Sequence, residues 1–381
     1  MSRLRGLAPW MVAAGLMAGC AGSTDAGSSA STDDQTTTPV ADSAAGETTQ
    51  PASDEAGAAT GPLPVDTIAT DLVGDGPGGV DLLVRRDGET MTAAAGPADA
   101  GGTPITDGLP FRVGSITKPF VAVLVLQLVD EGLVDLDAPL DTYLPDTPVG
   151  GSVTVRELLG HRSGLPSYTD QADIQAVTLT DPTHEFTPDE LVASVATVPA
   201  GTFEYSNTNY ILLGQMIETV EGTSIDAVLR SRITEPLALW DTVLASPAET
   251  LPAGMAAGWS IGLLNGQPDA PYQAVETAAW TAGALVSTTG DLLTFLDALV
   301  GGELLSPESF DQMTRFEPDG YGLGLVSAPL PDGRTGWGHD GLIPGYTSIM
   351  AIEPESGDAL VALANNDQLP VGTLLETVYA P

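Results

Sequence analysis

Ser115 and Lys118 stand three residues apart in the stretch FRVGSITKPF, and Lys118 is the only lysine among 381 residues. Positions i and i+3 of a helix share a face. A serine hydroxyl is a weak nucleophile until a base within hydrogen-bond reach takes its proton. An amine pressed against an apolar helix loses hydration, its pKa falls toward neutrality, and it can act as that base. Free N–H groups at a helix start also favour a developing oxyanion. The pair alone reads equally well as a serine N-cap followed by a surface lysine. The scarcity of lysine elsewhere weighs toward chemistry.

Two further stretches carry suitable groups. EYSNTNYILLG sets Tyr205, Ser206 and Asn207 in a loop before a helical pattern. A phenol can relay a proton, and one amide both donates and accepts, although Ser and Asn are also ordinary N-caps. GWGHDGLIPGYTS sets His339 and Gly341 at the end of a predicted strand, with Gly345 beyond. A glycine there lets a substrate approach the strand, whose N–H can complete an oxyanion hole. The alternative is a glycine-rich hairpin with a buried histidine.

The elements that must position these groups follow from periodicity. SITKPFVAVLVLQLVDEG is apolar nearly all round, which predicts a buried helix with Pro119 in its first turn and Gly132 at its end. VDLLVRRDGETMTAA reads as a hairpin around Asp-Gly. From about 135 to 275 the chain is rich in Pro and Gly, with the short helical patterns TVRELLGH, TPDELVASVAT, NTNYILLGQMIETVEG and SIDAVLRSRIT. TTGDLLTFLDALVGG predicts a helix capped by Thr288 or Thr289. YGLGLVS, GRTGWGHDG, YTSIMAIEP and DALVALANN read as strands, and LPVGTLLETVYA as a closing helix. The expected fold is α/β of the α+β kind: a central antiparallel sheet flanked by helices, with an inserted, mostly helical lobe.

Composition bounds the partners. Twelve basic against 51 acidic residues give a formal charge of −39, which repels nucleic acid and anionic lipid headgroups. The first 20 residues pair Arg3 and Arg5 with an apolar run to Met17, too short to span a bilayer and of signal-peptide proportions. LMAGC resembles a bacterial lipobox, which makes Cys20, the only cysteine, the expected lipidation site. Residues 21–65 are Ser, Thr, Ala, Gly, Asp and Pro with little large and apolar, and read as a disordered tether. Residues 66–381 form the folded domain. The expected location is extracytoplasmic, lipid-anchored to the outer face of the cell membrane, as a monomer that meets the membrane only through Cys20. Three scattered histidines, His161, His184 and His339, give no metal pattern.

The ordered set Ser-x-x-Lys, Tyr-x-Asn, His-x-Gly resembles the serine β-lactamase and penicillin-binding family. Within it the chain is similar to low-molecular-weight D-alanyl-D-alanine carboxypeptidases of actinobacteria and their class C β-lactamase-like relatives. TVRELLGHRSGLPSY, AGALVSTTGDLLTF and YGLGL extend the likeness over everything after the tether. The resemblance implies a β-lactamase/transpeptidase-like fold and a hydrolase that uses no metal or cofactor. It makes Ser115 the acylated nucleophile, Lys118 its activator, alone or with Tyr205, and Tyr205 the proton relay to and from the leaving group. Asn207 would bind the acyl-side amide of the substrate. His339 would stand where many relatives have the lysine of Lys-Thr-Gly. The N–H groups of Ser115 and Leu342 would form the oxyanion hole, and Trp280 would line the cleft. His161 would be structural and His184 a surface residue.

Two positions depart from the carboxypeptidase pattern. Asp340 replaces a threonine of the third motif, and YGLGLVSAPL has Val326 and no arginine before Arg334. An Asp340 that faces the cleft repels a substrate carboxylate; one that points away does not. The expected activity is that of a D-alanyl-D-alanine carboxypeptidase-type penicillin-binding enzyme acting on a small-molecule or peptide substrate such as a peptidoglycan stem peptide. The alternatives are an esterase or amidase of the same fold, or a sensor that acylates without turnover.

Overall fold

A computed structural model describes residues 63–149, 152–193, 195, 201–247 and 249–380. The leader with Cys20, and the tether as far as residue 62, lie outside the described residues. The main sheet contains β1 (Val80–Arg86), β2 (Glu89–Ala95), β3 (Val326–Pro329), β4 (Thr335–Ile343), β5 (Tyr346–Ile352) and β6 (Ala359–Ala364). Their spatial order is β2-β1-β6-β5-β4-β3, and every neighbouring pair is antiparallel. Asp87 and Gly88 turn the first hairpin with φ of 52° and 78°, the left-handed pair that a two-residue hairpin turn requires.

The sheet is covered on both faces. β6 has the sequence ALVALA and is buried throughout, as a continuous apolar strand requires. Leu360, Ala362 and Ala364 pack with Ile68, Ala69, Leu374 and Leu375 on one side. Val361 and Leu363 share the opposite core with the helix of the Ser115 motif. Sequence periodicity did not single out α1 (Val65–Val73), which starts one residue before the boundary drawn for the domain. Its buried Val65, Ile68, Ala69 and Val73 form one helical stripe in a segment otherwise as polar as the tether.

The opposite layer is built on α2 (Thr117–Asp130), buried at every position from Thr117 to Leu126. Phe120 stacks on Phe295 of α6 (Thr289–Val300), with ring centroids 3.7 Å apart. Burying such a side chain stabilises the fold by about 1.5–3 kcal/mol. The inserted region is mostly helical. It includes α3 (Val155–Leu159), which opens with a capping box of Thr154 and Glu157, α4 (Asn207–Glu221) and α5 (Gln273–Gly283). A small antiparallel sheet of Phe111–Arg112, Leu285–Ser287 and Val243–Leu244 was not anticipated. The YGLGL segment is not a strand as expected. The strand begins only at Val326, and Gly324 takes φ +73° where a Cβ would lie 2.5 Å from that of Ala122.

Candidate active site

The Ser115 turn is held from two sides. Gly114–Ile116 form a 3-10 turn ahead of α2, so Ser115 is not the first residue of the helix and is buried rather than open to solvent, at 4% exposure. The Val113 N–H donates to the Leu285 carbonyl at 2.9 Å. The Thr117 hydroxyl donates to the Gly114 carbonyl at 2.7 Å and accepts from the Leu285 N–H at 3.0 Å. On the other side lies β4. Gly114 has φ +53°, and a Cβ there would stand 2.9 Å from the Leu342 nitrogen. The backbone of Leu342 therefore lies against the residue before Ser115. Gly341 corrects one expectation. The space beside it is filled not by substrate but by the Val113 carbonyl, 2.0 Å from a Cβ built there. That carbonyl also accepts from the Ser348 hydroxyl at 2.8 Å.

Lys118 is fully buried, with 0% exposure. Its Nζ lies 3.0 Å from Ser115 Oγ, 2.8 Å from Asn207 Oδ1 and 2.6 Å from the Ala282 carbonyl oxygen. Burial drives its pKa well below the usual lysine range, opposed by the carboxylate of Asp340. Two of the three partners can only accept. A neutral amine has two N–H bonds and one lone pair. With the N–H bonds given to Asn207 and Ala282, the lone pair is left for the Ser115 proton.

The second motif closes around this pair. The Tyr205 ring lies under Lys118, 4.8 Å from Nζ to its centroid. Burial raises the phenol well above its ordinary pKa, and the Ser115 hydroxyl draws it part of the way back. The Asn207 N–H donates to Ser167 Oγ at 3.2 Å, and Nδ2 donates to Thr169 Oγ1 at 3.4 Å. These bonds aim Oδ1 at Lys118. Trp280 is half-buried at a kink inside α5, with φ 31° and ψ −123°. Such a conformation costs a non-glycine residue about 1–3 kcal/mol. It is held where α5 crosses α4 at Gly214, whose Cβ would meet Thr281 at 2.5 Å and the Trp280 ring at 2.9 Å.

A profile of the beta-lactamase family matches residues 65–379. The chain belongs to the beta-lactamase family. It is 30% identical over 316 residues to penicillin-binding protein 4 of Amycolatopsis lactamdurans, covering 75% of this chain and 80% of that protein. It superposes on a D-stereospecific amidohydrolase from Streptomyces sp. with a TM-score of 0.73 and 31% identity, over 83% of this chain and 98% of that one. It superposes on the D-amino acid amidase of Ochrobactrum anthropi SV3 with a TM-score of 0.69 and 34% identity, over 79% and 90%. The protein is thus a beta-lactamase-fold serine hydrolase, with Ser115, Lys118, Tyr205 and Asn207 brought together.

The third motif of this family member differs from expectation. His339 is buried at 1% exposure, and both of its ring nitrogens are engaged, with the Asp340 carbonyl at 2.5 Å and the Tyr321 hydroxyl at 3.3 Å. Burial and the neighbouring Lys118 lower its pKa to about 3. It is a neutral internal group and not a cation facing substrate. Asp340 is 18% exposed at its side chain, with Oδ1 3.8 Å from His339 Nδ1, and its charge opposes the shift at Lys118 and adds to the one at Tyr205. His161 is fully buried, and His184 packs edge-on against Phe186 at 4.4 Å. Sequence reasoning missed Ala282, which acts through a backbone carbonyl that leaves no mark in sequence. It also missed Tyr321, assigned to a strand that is not there.

Proposed function

We propose that the protein hydrolyses amide or ester bonds of small substrates through an acyl-enzyme on Ser115. The contact set of Lys118 carries this reading, because it leaves a lone pair for the serine proton. Ser115 Oγ attacks the substrate carbonyl carbon as its proton passes to Lys118. The oxyanion is met by the N–H groups of Ser115 and Leu342. The carbonyl–heteroatom bond then breaks, with Tyr205 relaying the proton to the departing amine or alcohol. Water enters by the reverse route and releases the acid.

The charge around the site favours neutral or cationic substrates, such as amino acid amides and esters with a free ammonium, over peptides ending in a carboxylate. Asp340 supplies negative charge. The arginines nearest the first and third motifs in sequence, Arg112 and Arg334, are paired with Glu276 at 2.9 Å and with Asp332 and Asp358 at 2.8 and 2.7 Å. The amidohydrolase and amidase relatives support this choice. D-alanyl-D-alanine carboxypeptidase activity is the second reading, supported by the penicillin-binding relative. The leader pattern supports an extracytoplasmic, lipid-anchored location.

The test compares kcat/KM for D-phenylalanine amide and for a peptide ending in D-Ala-D-Ala, in the wild type and in Asp340→Thr. The amide is expected to lead by at least about tenfold, corresponding to ~1.4 kcal/mol, with the gap narrowing in the variant. A lead for the peptide in the wild type would select the carboxypeptidase reading.

A further inference from the structure

Behind the catalytic residues runs a chain of buried hydrogen bonds. The Ser206 N–H lies 3.1 Å from His161 Nδ1, and Asn209 Nδ2 lies 3.2 Å from the same atom. His161 Nε2 lies 3.1 Å from the Tyr321 hydroxyl, which lies 3.3 Å from His339 Nε2. His339 Nδ1 ends the chain on the Asp340 carbonyl at 2.5 Å. His161, Tyr321 and His339 are each no more than 1% exposed.

The directions along this chain follow from its two ends, and the Tyr321 hydroxyl also has the Tyr210 hydroxyl as a hydrogen-bonding neighbour. A backbone N–H only donates, so His161 Nδ1 accepts from Ser206. Asn209 Oδ1 accepts from the Ser163 hydroxyl at 2.6 Å, which orients the Asn209 amide to donate to His161 as well. Burial disfavours the charged form of both imidazoles. The single proton of neutral His161 is therefore on Nε2 and goes to Tyr321. At the far end a carbonyl only accepts, so the single proton of His339 is on Nδ1. Its Nε2 lone pair receives the Tyr321 proton. All donors point the same way, from the second motif to the third.

The two ends of the chain are informative. Ser206 lies between Tyr205 and Asn207. Asp340 lies two residues before Leu342. His161 itself holds φ +55°, a left-handed conformation in which asparagine or glycine would be less strained. Its side chain, not its backbone preference, accounts for a histidine there.

We infer that His161 and Tyr321 are positioning residues that fix the Tyr205–Asn207 loop of the helical lobe against the strand of His339 and Leu342. The inference rests on the acyl-enzyme reading for its kinetic consequence, but the tautomers it assigns do not depend on any substrate. Tyr321→Phe removes one hydroxyl and keeps the ring that packs 4.9 Å from His161. The expected result is a fall in kcat of about tenfold to a hundredfold with KM changed by less than about threefold, because the groups misplaced are those that act on the transition state.

Nitrogen-15 NMR of the imidazoles in the wild-type protein is the independent measurement. His161 should be the Nε2–H tautomer and His339 the Nδ1–H tautomer, and Tyr321→Phe should perturb both rings. Opposite tautomers in the wild type, or wild-type kcat in Tyr321→Phe, would overturn the inference. If the tautomers are as assigned but Ser115 is never acylated, the acyl-enzyme reading fails and the hydrogen-bond assignment stands.

Discussion

Lys118 Nζ lies 3.0 Å from Ser115 Oγ and is anchored by two groups that can only accept, Asn207 Oδ1 and the Ala282 carbonyl. In solution lysine would be protonated at neutral pH. Here burial disfavours the charged form, and in the uncharged form the two acceptors leave the lone pair directed at the serine. Basicity is thus set by the packing of α2, and direction by the two acceptors.

This relationship predicts a pH profile. The acid limb of kcat/KM for a neutral ester should report Lys118, and should lie far below the usual lysine pKa of about 10.4. Asp340 favours the charged amine, so Asp340→Asn should move that limb to lower pH. Lys118→Ala should lower kcat/KM by about 10²–10⁴. A limb centred near pH 10 would contradict the assignment. The check is a pH–rate series on wild type and both variants.

Gly341→Ala tests how the Ser115 turn meets β4. The new Cβ would stand 2.0 Å from the Val113 carbonyl and 2.3 Å from Ser348 Oγ. Neither can move without breaking their mutual hydrogen bond. Separating the Ser115 and Leu342 amides should cost about 10²–10³ in kcat, and the overpacking about 1–3 kcal/mol in stability. Denaturant unfolding and steady-state kinetics read the two effects separately.

Much of this site was legible because its parts are side chains in short motifs. Ser115 with Lys118 followed from helical spacing, and Tyr205, Asn207 and His339 from motif order. Strands β1, β2, β4, β5 and β6 were legible as alternating or continuous apolar runs. Other parts left no such trace. Ala282 contributes a carbonyl that any residue would carry. Tyr321 sits in a segment whose apolar residues imitate a strand, whereas Gly324 packs on Ala122 and bends it away. Gly341 was read correctly as a close approach, but the approaching group is the chain's own Val113. His339 was placed at the position of the lysine of Lys-Thr-Gly, with a buried histidine as the alternative, and its burial and two partners favour the alternative.

Asp81 gives a pH dependence of stability unrelated to catalysis. Its carboxylate is buried in β1, with Oδ2 accepting from the Gly108 N–H and the Thr289 hydroxyl, each at 3.0 Å. Burial pushes its pKa up to about 7. The folded state therefore binds the proton more tightly than the unfolded chain does. The associated stability is fully present below about pH 4 and is lost as pH rises to about 7. The loss is on the order of 4 kcal/mol. Asp81→Asn keeps an acceptor for both donors and should flatten this fall, raising Tm at pH 8 relative to wild type. Thermal melts from pH 4 to 8 check the sign.

The most direct test of the central claim is intact-mass spectrometry of the protein during turnover of an activated ester such as p-nitrophenyl acetate, beside Ser115→Ala. An adduct of one acyl group that maps to Ser115 and is absent from the alanine variant is expected. Undiminished turnover or an acyl adduct in Ser115→Ala would contradict the central claim.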